Sequence, residues 1–471
     1  MLGKPKETSE RSEDMLQILK IGRRAHAVTS LAAAAFIAFL CLCSAIRPAA
    51  AQGIPLIRDT EIENLLNDYA RPIFRAAGLG EGRVAVRIVR SEIFNAFVLD
   101  GRNVFVHTGA LMQSDTPNQI IGVIAHEAGH IAGGHMAALR SRIARDQTKA
   151  LLMRILGLGV AIATGAGEAV FAGEELIIRS LLAERRSQEA AADQAALRYL
   201  NATRQSGRGM LETFERFAQQ EFVSDAHKDP FVRSHPVATD RLARLRTLVE
   251  SSPYYNVKDP PQLQLRHDMM RAKLAGYLER PQVVFNRYPR SDNSLPARYA
   301  RAIATFMQGG PQALPSALAQ VDALIREKPD NPYFYELKGD FLTRAGRPQE
   351  AIAPLRQALK LSNGASLIRV ALASALLASN NPGVVQEAVD HLRKSVVEDE
   401  NPRAFRSLGD AYYRLGRQAE ADAAIAQAYF LEGNIKQAQT FAQRAKRALR
   451  QGSPTWLKMD DIINYKPSGD L

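Results

Sequence analysis

Two histidines and a glutamate in the first third of the chain have the types and spacing of a metal-dependent catalyst. His126, Glu127 and His130 form the motif H-E-x-x-H. On a helix the two histidines lie one turn apart on the same face and can bind one zinc ion, while Glu127 stands beside the metal as a general base. The alternative, a solvated helix with surface histidines, is disfavoured because the neighbouring residues are apolar. The motif predicts one catalytic zinc ion per chain.

A catalytic zinc ion needs a third protein ligand, and the residues just after the motif do not supply it. The metzincin spacing would place a histidine at position 136, where this chain has methionine. His135 lies five residues beyond His130, about 140° around a continuing helix, and would face away from the motif. We therefore expect His135 either to support a ligand from outside or to lie on the surface.

Glu189 is the better candidate for the third ligand. It precedes Asp193 by one turn within residues 184–199, a strongly helical stretch rich in alanine. Small neighbours would let this helix approach the first one closely, so that Glu189 binds the metal and Asp193 orients a ligand histidine. The alternative is an exposed acidic face paired with Arg185 and Arg186.

A helix must hold the motif in place, and its start is visible in the sequence. Thr116 offers a hydroxyl for the N-cap, Pro117 suits the first helical position, and Gln119 stands at the third. We expect helical structure from Thr116 to about residue 246, with a break at Pro236. The predicted helix carries His126, Glu127 and His130.

Three short β-prone runs precede this helix. Residues 84–89, 93–99 and 103–107 are rich in β-branched and aromatic side chains, and the turn Asp100-Gly101 separates the last two. We predict a small antiparallel sheet, preceded by an amphipathic helix over residues 60–77. An extended peptide substrate could add to the strand that contains residues 95–98.

Residues 295–450 are alanine-rich and self-similar. Four small residues recur at offsets 8, 15, 20 and 27 of a 34-residue unit, first as Gly339, Gly346, Ala351 and Ala358 and then as Gly409, Gly416, Ala421 and Ala428. A degenerate unit lies between these two, a partial unit precedes them and a half-unit follows. This spacing is typical of tetratricopeptide repeats, in which small residues let paired helices cross closely. A plain helical bundle would have no reason to repeat it.

The N-terminal residues have the pattern of a secretory signal peptide. An apolar run over residues 31–46 follows Lys20, Arg23 and Arg24 and leads to an A-x-A site ending at Ala51. The alternative, an uncleaved anchor, is disfavoured because the run is shorter than the ~20 residues that span a bilayer. Both cysteines of the chain lie inside this segment, so the mature protein would lack thiolate metal sites and disulfides.

The overall composition sets outer limits. The chain has 471 residues, is 46% hydrophobic and carries a formal net charge of +12, which allows two or three domains and excludes wholesale disorder. Basic and acidic residues are interleaved and no nucleic-acid-binding motif occurs, so we expect no nucleic-acid partner. Residues 151–166 are apolar but contain Arg154. We expect a buried helix or an active-site cover there, with peripheral membrane contact as the alternative.

These motifs together resemble the zinc metallopeptidase family of the CAAX prenyl proteases. The resemblance rests on the H-E-x-x-H motif, the Glu189-x-x-x-Asp193 pair, the strand Asn95-Ala96-Phe97 and the segment Ser234-His235-Pro236 ahead of Asp240-Arg241. It implies zinc on His126, His130 and Glu189, general-base catalysis by Glu127 and a functional role for His235. We expect His235 either to donate to the oxyanion or to occupy the fourth zinc position and silence the enzyme. The alternative is a loop histidine with neither role.

The expected fold is α+β and mainly α, a zinc-peptidase domain with a small sheet followed by a tetratricopeptide α-solenoid. The expected boundaries are a signal peptide at 1–51, the peptidase domain at 52–250, a linker at 251–294, the repeats at 295–452 and a tail at 453–471.

With the family resemblance, this organisation predicts a periplasmic zinc endopeptidase that cleaves unfolded or misassembled envelope proteins in outer-membrane protein quality control. Its expected partners are polypeptide substrates and, through the repeats, the outer-membrane assembly machinery. The competing hypothesis is a tetratricopeptide adaptor or chaperone whose metal domain is regulatory. Glu127 favours the enzyme, because an adaptor has no need of a general base.

Overall fold

The computed structural model describes residues 55–80, 82–99, 101–139, 141–142, 169–218, 235 and 239–466, and gives the backbone alone for 169–182. The predicted signal peptide and the apolar segment 151–166 lie outside the described residues. Across the described part of the chain, no helix combines the length and apolarity needed to cross a membrane.

Among the described residues, the sheet has four strands in the order β1-β2-β4-β3. The strands are β1 (Leu56–Ile57), β2 (Ala85–Val89), β3 (Ala96–Val98) and β4 (Asn103–His107). β1 and β2 are antiparallel, as are β3 and β4, but β2 runs parallel to β4. The prediction of an antiparallel sheet is therefore wrong for this central pair. After β2 the chain crosses beside Gly109 to the far side of β4 and forms β3. The β3–β4 hairpin then brings β4 back beside β2. Gly109 leaves room for this crossing, because a Cβ there would lie 2.2 Å from the carbonyl oxygen of Glu92.

In the described part of the chain up to residue 250, the helices whose full bounds the structure gives pack around this sheet or on one another. They are α1 (Thr60–Ala76), α2 (Thr108–Gln113), α3 (Pro117–Ala132), α4 (Ala169–Ala202), α5 (Arg208–Ala218) and α6 (Thr239–Glu250). The Asp59 carboxylate caps α1 by accepting from the backbone N–H of Ile62 at 3.0 Å. The apolar residues predicted to share one face of α1 are buried, among them Leu66 and Ile73 at 0% exposure. This face packs on the sheet and on α3, whose residues from Gly122 to His130 are all buried.

The segment predicted as a linker is largely helical. It contains α7 (Pro261–Leu278) and α8 (Pro281–Arg287), which begin with proline at the first or second helical position. α7 packs on α1, α2 and α3 on one side and on the first helix of the repeat region on the other. His267, buried in this contact, lies 3.0 Å from the Tyr69 hydroxyl of α1 and 2.8 Å from the Ser114 carbonyl. The proline-rich segment therefore joins the two regions through packed side chains.

The repeat region consists of successive packed helices. They are α9 (Leu295–Gly309), α10 (Leu314–Glu327), α11 (Pro332–Arg344), α12 (Pro348–Leu361), α13 (Ser366–Ala378), α14 (Val385–Glu398), α15 (Pro402–Arg414), α16 (Gln418–Leu431), α17 (Ile435–Ala448) and α18 (Pro454–Asn464). Each of the two matched units is a helical hairpin, α11–α12 and α15–α16. Gly346 and Gly416 make the turns between the hairpin helices with φ of +75° and +73°, a conformation that favours glycine. The last helix, α18, occupies most of the predicted C-terminal tail and packs on α17.

The peptidase and repeat regions lie in one compact unit that begins at Pro55. α1 contacts three repeat helices: the Tyr299 hydroxyl of α9 donates to Glu61 at 3.0 Å, Asn64 donates to the Tyr333 hydroxyl of α11 at 3.1 Å, and α13 packs nearby. A buried lysine, Lys273 of α7, lies 2.7 Å from Asp59. These contacts fix the first peptidase helix against the first repeat helices.

Candidate metal centre

α3 carries the H-E-x-x-H motif and begins at Pro117, as predicted. The hydroxyl of Thr116 makes no capping hydrogen bond, contrary to expectation. Instead the backbone N–H of Asn118 donates to the Asp259 carboxylate at 2.9 Å, and the backbone N–H of Asp115 donates to the Gln119 side chain at 2.8 Å. A carboxylate from the segment that leads into α7 therefore satisfies the first turn of α3, where an anion also interacts favourably with the helix dipole.

α4 approaches α3 closely at the metal motif. A Cβ on Gly129 would lie 2.8 Å from the carbonyl oxygen of Ala192 and 2.9 Å from its Cα, so only glycine fits there. Ala192 is fully buried in this contact. The expectation that small residues let the two helices approach is confirmed by this contact, and it places Glu189 and Asp193 beside His126.

Four side chains converge at this point: His126, His130, Glu189 and His235, all buried. Nε2 of His126 lies 3.1 Å from Nε2 of His130, 3.3 Å from Oε2 of Glu189 and 3.2 Å from Nδ1 of His235. Nε2 of His130 lies 3.4 Å from Oε1 of Glu189, and Nδ1 of His235 lies 3.2 Å from Oε2 of Glu189. The group contains the three predicted ligands and adds His235 as a fourth donor.

The donor set fits a metal ion by chemistry and by spacing. Imidazole nitrogens and a carboxylate oxygen are the ligands that zinc takes in catalytic sites. Four ligands arranged tetrahedrally around zinc at its usual bond lengths are about 3.3 Å apart. Five of the six pairs of these side chains approach to between 3.1 and 3.4 Å, which matches this edge length, and the four donor atoms all lie within 4.8 Å of one another. The four side chains can therefore hold one metal ion.

The charges around the four donors favour a cation. Burial opposes the charged form of His126, but its contacts with Asp193 and Glu189 raise the pKa from 6.5 to about 9. Burial likewise opposes the charged form of Glu189, yet the neighbouring histidines, His235 foremost, hold the pKa of Glu189 well below its ordinary value. The site therefore keeps carboxylate charge in a buried place, where a bound cation would compensate it.

Asp193 orients His126, and Arg241 in turn holds Asp193. Oδ1 of Asp193 lies 3.0 Å from Nδ1 of His126. The Arg241 guanidinium donates to both oxygens of Asp193, at 2.6 and 2.8 Å, and lies 3.0 Å from Glu189. Burial opposes the charge on Asp193, but this hydrogen-bonded arginine lowers the pKa of the carboxyl group. The structure thus places Asp193 beside His126, together with an arginine that the sequence did not assign to the site.

Glu127 and the edge strand β3 complete the surroundings. Glu127 is 1% exposed, and its Oε1 has no hydrogen-bond partner among the described residues. This atom lies 3.4 Å from Nε2 of His235, which in turn lies 3.2 Å from the Ala96 carbonyl oxygen. Asn95 accepts a hydrogen bond from His107 of β4, so the next carbonyl, that of Ala96, points away from β4 toward the free edge.

His135 does not face away from the motif, as a continuing helix would require. α3 ends at Ala132, and Gly134 has a φ of +63° that turns the chain back. Nδ1 of His135 consequently lies 3.0 Å from Nδ1 of His130. The predicted direction was wrong because the two glycines end the helix before position 135.

Comparison with known proteins agrees with this geometry. Residues 57–249 match the profile of Peptidase family M48. These residues, fewer than half of the chain, are similar to peptidases of family M48. The match and the donor group together support a metalloprotease, and the motif residues on α3 and α4 all lie within the matched residues.

Longer similarity extends beyond residues 57–249. The chain is 23% identical over 426 residues to the beta-barrel assembly-enhancing protease of Escherichia coli (strain K12), covering 87% of this chain and 84% of that protein. It is 22% identical over 435 residues to the protein of the same name from Yersinia pestis, with the same coverage. Metalloprotease LoiP of Escherichia coli is 26% identical over 163 residues, 35% of this chain and 62% of that protein. Among solved structures, MamA is 18% identical with a TM-score of 0.27, covering 34% of this chain and 90% of that chain.

The sequence does not reveal the contacts of two residues that support the centre. Arg241 lies within the matched residues 57–249, and its place next to the His235 segment does not predict its pairing with Asp193. Asp259 lies beyond residue 249, where the M48 match ends, and still caps α3, the helix that carries His126 and His130. A charged residue's distant partner is not encoded in local spacing, so only the folded chain reveals these two contacts.

Proposed function

We propose that this chain is a zinc endopeptidase in which His126, His130 and Glu189 hold the metal and Glu127 is the general base. The observation that carries the proposal is the buried convergence of the donor atoms, with separations of 3.1 to 3.4 Å, beside a buried carboxylate. A zinc ion held there supplies Lewis-acid polarisation of the scissile carbonyl. This donor set, with no cysteine, is the one expected of a catalytic rather than a purely structural zinc site.

Glu127 moves the proton in the proposed reaction. Its free, buried Oε1 can accept a proton from the attacking water and later deliver it to the leaving amine. Asp193 keeps the His126 ring in place while this happens, and Arg241 keeps Asp193 ionised. Substrate would bind as an added strand at the edge formed by β3, which favours extended and unfolded polypeptide segments.

His235 is proposed to silence the resting enzyme. Its Nδ1 points at the Nε2 atom of His126 and at Glu189, the place of a fourth ligand, and its Nε2 is directed to the Ala96 carbonyl. The His235 side chain thus occupies both the fourth position around the metal and the edge of strand β3. A substrate strand would have to displace His235 from both, which couples activation to substrate binding. The competing role, hydrogen bonding to the oxyanion, needs the ring away from the fourth position.

The catalytic assignment is tested with Glu127→Gln in the purified full-length protein. The variant should keep zinc and fold but lose cleavage of an unstructured peptide by a factor of about 10² to 10⁴, because it removes the base without removing a ligand. Glu215→Gln, a half-buried glutamate paired with Arg246 on the surface, serves as the control and should cleave normally. Unchanged turnover in Glu127→Gln contradicts the mechanism, and full zinc occupancy in the double variant His126→Ala, His130→Ala contradicts the metal assignment.

The role of His235 is tested with His235→Ala on the same peptide. Cleavage above the wild-type rate supports the blocking role, because the variant frees the fourth position. A loss of about 10² or more supports the oxyanion role. Equal rates contradict both roles and leave His235 a structural histidine.

The proposed setting is the periplasm, where the enzyme removes unfolded or misassembled outer-membrane proteins. This rests on the leader-like residues 1–51, the absence of cysteine after them and the similarity to proteases named for enhancing β-barrel assembly. In this proposal residues 295–452 are tetratricopeptide repeats that recruit substrate or the assembly machinery. Because α1 is packed against α9, α11 and α13, the repeats beyond them offer the freer surface for a partner.

Recruitment by the repeats is tested with surface variants, since deleting the repeats would uncover the packed face of α1. Tyr413 on α15 is 66% exposed, and Leu415 at the following turn is 37% exposed. The variant Tyr413→Ser, Leu415→Ser should cleave a generic peptide normally but lose capture of misassembled outer-membrane protein in cells. The matched control is Val283→Ser on α8, which is 44% exposed. Normal capture by the repeat variant places the partner surface elsewhere.

A further inference from the structure

Helix α3, which carries the H-E-x-x-H motif, ends in a turn that brings His135 back beside the motif. The backbone N–H of Gly133 donates to the Gly129 carbonyl at 2.9 Å, and that of Gly134 donates to the Ile131 carbonyl at 3.0 Å. Gly134 has a φ of +63°, the left-handed conformation in which helices commonly end. His135 therefore leaves the helix direction and returns over the last turn.

The rings of His135 and His130 pack edge to face. The ring centroids are 5.0 Å apart at an interplanar angle of 79°, and the two Nδ1 atoms are 3.0 Å apart. Two imidazole nitrogens at this distance must share one proton, with one ring donating and the other accepting. Nε2 of His130 faces Glu189 and His126, so its Nδ1 is the nitrogen left to donate.

Gly133 provides the space for the His135 ring. A Cβ on Gly133 would lie 2.4 Å from Nε2 and 2.8 Å from Cδ2 of His135. No real side chain tolerates such contacts, so any residue other than glycine would push the ring away from His130. Gly133 and Gly134 thus act together, the first by leaving room and the second by turning the chain.

We propose that His135 is the positioning residue of the second metal ligand: its Nδ1 accepts the N–H of His130 and fixes the tautomer and ring orientation that present Nε2 to zinc. This inference rests on the proposed zinc site. Metal-binding histidines as a rule donate their other ring N–H to such a partner. Asp193 has this position for His126, at 3.0 Å, and His135 has it for His130. The two ligand histidines would thus be oriented by one charged acceptor and one neutral acceptor.

The test is the zinc affinity of the purified full-length protein, measured by competition with a chromophoric chelator. His135→Ala should raise the zinc Kd by about 10- to 100-fold, the usual cost of losing an outer partner. His135→Asn should restore affinity to near wild type, because its side-chain oxygen can accept near the position of Nδ1. His391→Ala, which removes a half-buried histidine of the repeats, should leave the Kd unchanged. Melting curves by circular dichroism check that each variant is folded.

A double-variant cycle tests the role of the glycine. Gly133→Ala alone should weaken zinc binding about as much as His135→Ala, because it displaces the same ring. In the background of His135→Ala the space is free, so Gly133→Ala should add nothing further. Additive losses would overturn the steric argument.

The remaining outcomes separate this inference from the proposed function. Zinc binding by wild type with an equal Kd in His135→Ala overturns the role of His135 and leaves the zinc site intact. Failure of His135→Asn to restore affinity, with fold retained, overturns the acceptor role. Absence of zinc binding by the wild-type protein overturns the proposed site and this inference with it.

Discussion

The metal centre and the close contacts between neighbouring repeat helices, called seams below, are held together by opposite kinds of interaction. The centre buries ions and imidazoles whose partners lie far apart in the chain, such as His126 and His235, separated by 109 residues. The seams bury small apolar residues whose partners lie one helix away, such as Gly339 and Leu355. The first region depends on complete pairing of charges, and the second on volume alone.

This difference predicts which substitutions cost the most stability. A buried ion that loses its partner keeps its desolvation penalty, whereas an overfilled apolar seam can relax by small shifts of side chains. The stability of the two regions can also be measured separately, because the only tryptophan, Trp456, lies on α18 at the end of the repeat region. Its fluorescence reports unfolding there, and hydrogen exchange of α3 amides reports opening of the metal centre.

The largest effect is expected from Arg241→Gln. The change leaves Asp193 and Glu189 buried without their cation, which should lower the free energy of opening of α3 by about 3 to 5 kcal/mol. Hydrogen exchange of the α3 amides measures this loss, while the unfolding midpoint seen by Trp456 should move little. Arg244→Gln, at an exposed position one turn along α6, is the control and should have no effect. A loss below about 1 kcal/mol in Arg241→Gln would show that the buried carboxylates do not need the arginine.

The second effect concerns pH and comes from His267. Burial lowers the pKa of His267 from 6.5 to about 4, and its neutral ring accepts from Tyr69 while donating to the Ser114 carbonyl. Between these pH values the unfolded chain binds a proton that the folded chain does not. Stability from this group is therefore complete above pH 6.5 and should fall by roughly 3 kcal/mol as the pH is lowered to 4.

The measurement for His267 is urea unfolding of metal-free protein at a series of pH values. The variant His267→Gln keeps a donor and an acceptor but cannot be protonated in this range. Its stability should decline less steeply than that of wild type between pH 6.5 and 4. Parallel curves for the two proteins would show that His267 takes no part in the pH dependence.

How much the sequence predicts differs between the two regions for the same physical reason. The offsets of Gly339 and Gly409 identify the matched hairpins because each close contact is made within a single repeat. At the centre, the spacing of His126 and His130 predicts two donors, and the alanine-rich turn around Glu189 predicts a third. The contacts of Arg241 and Asp259 join segments with no common period, and the return of His135 depends on a left-handed turn that a helical wheel does not include.

The third effect is expected in a repeat seam, from Gly339→Ala. The new Cβ would lie 2.4 Å from Cγ of Leu355, and such overpacking typically costs 1 to 3 kcal/mol, offset by about 1 kcal/mol of helix propensity gained. A net loss of about 1 to 2 kcal/mol in the opening free energy of α11 and α12 should appear in hydrogen exchange. Gly409→Ala should cost less, because its closest contacts, at 2.8 Å, are with the movable end of Ile425, and the Ala421 carbonyl oxygen lies farther away at 3.3 Å. Equal or reversed effects would show that seam volume does not limit these repeats.

The smallest effect separates how helices begin in the two regions. α11 and α15 are capped locally, since Asn331 accepts from the N–H of Tyr333 and Asn401 from that of Arg403, each at 2.9 Å. α3 is capped by Asp259, 141 residues beyond Asn118. Asp259→Ala should cost about 1 kcal/mol, the usual value of a cap, and Asp259→Asn only a few tenths, because the amide oxygen still accepts.

Hydrogen exchange in the first turn of α3 measures the Asp259 effect, and Asn331→Ala provides the matched control. Each variant should speed exchange at the start of its own helix and leave the other unchanged. Because Asp259 precedes α7, which packs on the first repeat helix α9, the loss of its bond should also loosen α7 and raise exchange there. Asn331→Ala should have no such remote effect. If Asp259→Ala alters the first turn of α3 but not α7, the metal helix is capped by this segment without being coupled through it to the repeats.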